Sequence, residues 1–150
     1  MSKIAILIHM WYVDQYPLFA KRLEKFELDF DLYINFPKEE GLDTIPPTKI
    51  PDFSKKDECL SALETIAEKT YTFNENNVGQ DGYGTLKMME SIIENGPVYD
   101  FIIKLQSLKN ENLLERNLDS LLLNSKDIHN HFLQSDNVGM IGYTGSIHRG

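Results

Sequence analysis

A single cysteine among 150 residues rules out an internal disulfide. Cys59 lies beside Leu60, Ala62 and Leu63 in a helical pattern, so it reads as a packing residue. Long hydrophobic runs are missing as well. Near the N-terminus the longest is Ile4 to Ile8, against the roughly 20 residues of a membrane helix, and no small-residue cleavage site follows it. A cytoplasmic chain is therefore expected, meeting the membrane face only through partners. There is no basic run, and 15 basic against 23 acidic residues leave a net charge of −8, which removes the usual electrostatic source of nucleic-acid binding. No Gly-x-Ser-x-Gly elbow, Walker loop or dinucleotide fingerprint occurs, and Cys59 has no activating neighbour, so nucleophilic catalysis has no support. Repeats and low-complexity segments are also missing.

What is present is an ordinary globular composition, 41% hydrophobic and 25% charged, over a length suited to one domain spanning residues 1–150. Ile4 to Ile8 is the continuous apolar run of a strand buried on both faces, and it ends at His9. Tyr16, Phe19, Ala20, Leu23 and Phe26 follow at helical spacing. Phe30, Leu32, Ile34 and Phe36 then alternate with Asp31, Tyr33 and Asn35, the period of a strand, until Pro37 stops it. Gly41 to Ser54 holds Pro46, Pro47 and Pro51 and reads as a surface loop.

A helix from Ser54 with stripe Leu60, Leu63, Ile66 and Ala67 leads to a short strand at Tyr71 to Phe73. Leu86, Met89, Ile92 and Ile93 predict the next helical stripe, with Gly96 and Pro97 as its stop. Tyr99 to Leu105 is a fourth strand. Helices around Leu114 to Leu122 and Ile128 to Leu133, then a strand at Val138 to Tyr143, complete the pattern. Strands alternating with helices predict an α/β fold whose mainly parallel sheet is covered on both faces, with ligands at the carboxyl ends of the strands.

Three groups of residues fall at that edge. His9, Trp11 and Tyr12 follow the first strand and offer an imidazole and two aromatic faces on which a base or sugar can stack; alternatively they pack beneath the next helix. Asn77-Val78-Gly79-Gln80-Asp81 follows the third strand. Either its amides face an anion and Asp81 takes ribose hydroxyls or a metal, or it is a helix-initiating turn with Asp81 as N-cap. Lys104, Gln106, Ser107, Lys109 and Arg116 follow the fourth strand, and their cations either hold a diphosphate or form a solvated surface cluster. His129 and His131, one residue apart, do not share a helix face and suggest no metal site.

Taken in order, His9 and Tyr12, Asn77, Gly79 and Asp81, Tyr99-Asp100-Phe101 and Lys104 resemble the pattern of the rhamnan synthesis protein F family. The resemblance implies a GT-A-type glycosyltransferase fold without part of its C-terminal half. It also implies transfer of a sugar from a nucleotide-diphosphate donor (UDP- or dTDP-linked) to a polysaccharide or glycoprotein glycan. The first-strand end and the Asn77 to Asp81 loop would face the nucleoside, and the segment after the fourth strand the diphosphate. Gln106, Ser107 and Leu108 stand where the family has His, Thr and Lys, which leaves a catalytically silent binding or scaffold module as the alternative. Leu105-Gln106-Ser107 replaces the metal-binding Asp-x-Asp of many such enzymes. Either Asp81 supplies a carboxylate to Mn2+ or Mg2+, or Lys104, Lys109 and Arg116 supply positive charge without a metal, the preferred reading. No catalytic base is identified.

Overall fold

The computed structural model describes residues 3–38, 52–75 and 81–123, together with Asp127 and Asn130. Within them strands and helices alternate as their periodicities predict: β1 (Ile4–His9), α1 (Tyr16–Glu24), β2 (Phe30–Asn35), α2 (Lys56–Glu64), β3 (Thr70–Phe73), α3 (Asp81–Asn95), β4 (Phe101–Gln106) and α4 (Glu111–Leu118). The strands form one sheet in the order β3-β2-β1-β4, every neighbouring pair parallel. The chain thus moves outward from β1 to β3, then crosses to the other side of β1 for β4. This arrangement is compatible with a Rossmann-like fold. The proline-containing loop from Gly41, the helix near Ile128 to Leu133 and the strand at Val138 to Tyr143 lie outside the described residues, apart from Asp52 to Ser54 at the close of the loop and Asn130 within the helix.

Strand register sorts the side chains into two faces, because successive residues point to opposite sides of a sheet. Ile4, Ile6 and Ile8 share one face with Phe30, Leu32 and Ile34 of β2. There they meet Phe19 and Leu23 of α1, Cys59 and Leu63 of α2, and Leu114 and Leu118 of α4. Ala5 and Leu7 share the other face with Tyr33, covered by Met88 and Ile92 of α3. Each large apolar side chain buried in this way contributes about 1.5–3 kcal/mol, so the three-helix face carries the larger part of the hydrophobic stabilisation. A strand sandwiched between both layers needs apolar residues at every position, which is why β1 shows no alternation.

One part of the sequence reading is corrected. Leu86 and Ile93, expected in the buried stripe of α3, are 53% and 78% exposed, whereas Met88 and Ile92 make the contact. Gly84, Met88 and Ile92 recur every four residues and form a single seam, and α3 packs on β1 and β2 through it. Leu86 and Ile93 sit on the helix flank, beyond the reach of those strands.

Element ends have local causes. Pro17 occupies the first turn of α1, where its missing N–H costs nothing. Asp52 caps the short 3-10 turn Phe53–Lys55 ahead of α2, its carboxylate accepting from the Ser54 N–H at 3.0 Å, so the cap falls two residues before the expected start at Ser54. Asn110 caps α4 by accepting from Leu113 N–H at 3.2 Å. At Gly96 a Cβ would lie 2.8 Å from the Ile92 carbonyl oxygen, so the close of α3 admits only glycine without a backbone shift. Beyond α4 a π-helical turn, Asp119–Leu123, carries Leu122 into the core. Arg22 of α1 clasps this end, with Nε 3.0 Å from Asp119 and Nη2 3.6 Å from Glu115.

Candidate functional site

The reversal of strand order places a crevice between the carboxyl ends of β1 and β4, the position where open α/β sheets bind ligands. Here it is bridged by the chain's own polar groups. Ser107 Oγ accepts from two consecutive main-chain donors, Trp11 N–H at 2.8 Å and Tyr12 N–H at 2.9 Å. Its own N–H donates to the His9 carbonyl at 3.0 Å. Gln15, in the 3-10 turn Val13–Gln15, pairs both ends of its amide with Leu108, donating Nε2–H to the carbonyl and accepting from the N–H at 3.2 Å. Donors at the start of a helical segment have no partner within it, and the hydroxyl and amide supply one. Ser107, expected on the diphosphate side of a bound donor, holds the β1–α1 connection. In that connection Met10 and Val13 are buried, while Trp11 and Tyr12 stay half-buried at the rim.

On the other side of β1 the register pairs His9 with Asn35 at the end of β2. Both are buried, Asn35 completely and His9 to 4% exposure. Asn35 Oδ1 accepts from Glu75 N–H at 2.9 Å, and Asn35 Nδ2 lies 3.1 Å from His9 Nδ1. The first turn of α3 comes down directly on this pair. A Cβ at Gly84 would lie 2.5 Å from Asn35 Nδ2 and 3.1 Å from His9 Nδ1, so the absence of a side chain is what lets the helix approach. The next residue, Thr85, has a buried hydroxyl with no hydrogen-bond partner among the described residues. Asp81 is the first residue of α3, one turn before Gly84. Asn77 and Gly79 lie outside the described residues.

The basic group after β4 is divided by the sheet. Lys104 and Gln106 share the α3 side of β4, with Lys104 Nζ donating to Gln106 Oε1 at 3.0 Å and Gln106 in register with His9. Partial desolvation of the Lys104 ammonium lowers its pKa from the ordinary lysine value. Lys109 is exposed in the β4–α4 connection. Arg116 is exposed on α4, which packs on the opposite face of the sheet from Lys104. The three cations therefore do not converge on one phosphate position.

Tyr99-Asp100-Phe101 lies at the amino end of β4, away from this edge. Asp100 accepts from Lys3 N–H at 2.8 Å and locks the strand starts together. Tyr99 donates to the buried Asp31 carboxylate at 2.6 Å and stands 2.9 Å from the Tyr33 hydroxyl. Burial, followed by the hydrogen bond to Asp31, pushes the Tyr99 phenol far above its usual range. This is a structural relay under α3, with Tyr33 stacked on Tyr71 at 4.6 Å between ring centroids.

Among the described residues no three His, Cys, Asp or Glu side chains gather to hold a metal ion. Burial pushes the Cys59 thiol up to about 12, which makes it inert at neutral pH. No helix within the described residues is long and apolar enough to cross a membrane.

Sequence reasoning singled out His9 but passed over Asn35, Gln15 and Gly84. Asn35 was legible only as the polar last position of an alternating strand, and its partner comes from a strand 26 residues away. Comparison with protein-family models, curated proteins and solved structures finds no match for the chain.

Proposed function

We propose that the carboxyl edge of the sheet binds a nucleotide-diphosphate sugar, as the donor-binding part of a GT-A-like glycosyltransferase that builds a polysaccharide or glycoprotein glycan. The observation that carries this reading is the in-register row Asn35–His9–Gln106, three polar side chains across β2, β1 and β4 at the ligand-binding end of a parallel sheet, with the start of α3 closing over one end of it. Gln106, half-buried at the end of this row, suits the hydrogen-bonding face of a base or ribose, and the half-buried Tyr12 and Trp11 that follow His9 suit stacking. Lys104 beside Gln106 supplies a point charge for a phosphate, with Lys109 within the following connection. Asp81, opening α3, is the candidate carboxylate for ribose hydroxyls or for Mn2+ or Mg2+. The resemblance to rhamnan synthesis proteins supports a sugar donor over other nucleotides.

A second reading, a catalytically silent module that recognises a nucleotide or glycan, is favoured by one specific observation. Arg116 belongs to a helix on the other face of the sheet from Lys104, which leaves fewer cations for a leaving diphosphate. Thermal unfolding with a panel of UDP-, dTDP-, GDP- and CMP-sugars, with and without Mn2+, separates the possibilities, because a ligand of the native state raises its apparent stability. A shift with one nucleotide class, followed by transfer to a glycan acceptor, is the expected result. A shift without hydrolysis or transfer selects the silent module, and no shift with any donor sinks both nucleotide readings.

A further inference from the structure

We infer that Asn35 is the positioning residue of this edge: it holds His9 in the tautomer that carries its proton on Nε2, and it ties the imidazole to the backbone of Glu75, where the chain leaves β3. The inference follows from which atoms can give a proton and which can only take one. Glu75 N–H can only donate, so the Asn35 atom it meets, 2.9 Å away, is the carbonyl oxygen Oδ1. That orients the amide and aims Nδ2, which can only donate, at His9 Nδ1 across 3.1 Å. Nδ1 therefore accepts and bears no proton, and the neutral imidazole has its proton on Nε2. Burial of both side chains removes water as an alternative partner, and Gly84 leaves no space above Asn35 Nδ2 for the amide to swing aside.

The consequence goes beyond the nucleotide-sugar reading and does not depend on it. His9 presents a hydrogen-bond donor at Nε2, so whatever group meets that nitrogen is an acceptor such as a carbonyl, hydroxyl or phosphate oxygen. Nδ1 is not available as a proton-accepting base. The same amide makes the geometry at His9 sensitive to the position of the Glu75 backbone, because moving that N–H releases the atom that orients Asn35.

The test uses the ligand-free chain, so its outcome is separate from that of the nucleotide panel. Long-range proton–nitrogen correlation spectra of the 15N-labelled protein report which ring nitrogen of His9 is protonated. The expected wild-type spectrum has Nδ1 at the unprotonated position and Nε2 at the protonated one. A proton on Nδ1 overturns the inference, and this measurement needs no variant. Asn35→Asp keeps an acceptor for Glu75 N–H but turns an acceptor towards His9, so Nδ1 is expected to gain a proton. If Asn35 merely filled space, the folded Asn35→Asp protein would keep Nδ1 unprotonated, and that result also overturns the inference.

Discussion

Two polar clusters lie on either side of the last residue of β1, and they are built for different purposes. Between β1 and β4, Ser107 and Gln15 satisfy main-chain groups of the β1–α1 and β4–α4 connections, with Ser107 Oγ accepting two N–H groups at once. Between β1 and β2, side chain meets side chain, a helix descends through a glycine, and the hydroxyl of Thr85 has no partner among the described residues. The first cluster works as a clasp. The second holds a titratable ring in a defined state and leaves an unused hydrogen-bonding group nearby, at some cost to stability. Unpaired buried polar groups mark functional ground more often than satisfied ones do. The comparison thus moves the centre of interest from the switch-point crevice to the surface beneath α3.

Three substitutions sharpen or break that contrast. Gly84→Ala has the largest expected effect: the gain in helix propensity is about 1 kcal/mol, but the added methyl collides with an amide held by two bonds, giving a net loss of about 2 kcal/mol in urea unfolding. An unchanged or raised stability would show that the helix does not need the close approach. Ser107→Ala leaves the N–H groups of Trp11 and Tyr12 without their acceptor and should cost about 1–2 kcal/mol, with amide exchange accelerating at these two residues first. Protection unchanged at Trp11 and Tyr12 would remove the clasp. Thr85→Val has the smallest effect and the opposite sign: it deletes a buried hydroxyl that has no partner among the described residues, so the ligand-free protein should be unchanged or stabilised by about 1 kcal/mol. A clear destabilisation in the same unfolding measurement would mean that the hydroxyl has a partner after all.

Much of the architecture is legible in the sequence because periodicity is a local property. The alternation of Phe30 to Asn35 and the unbroken run Ile4 to Ile8 each predict a strand, and the sheet bears out both, although β2 is buried on its polar flank as well. The stripe of α3 was misread at Leu86 and Ile93, since several apolar residues follow one another there and only packing on β1 and β2 selects Met88 and Ile92. At the site, His9 was visible as the polar end of an apolar strand. The loss of convergence between Lys104 and Arg116 was not, because closeness along the chain says nothing about which face of a sheet a following helix takes.

By itself, then, the sequence determines the order of strands and helices, the buried central position of β1 and the polar residues at the strand ends. Its spacing of apolar and polar groups is written residue by residue. Only the tertiary structure decides that Asn35 meets His9, that Ser107 closes the switch point, and that Gly84 admits α3 to the edge. Those relations join residues 26 to 96 positions apart, and they depend on strand order and register, which no local pattern encodes.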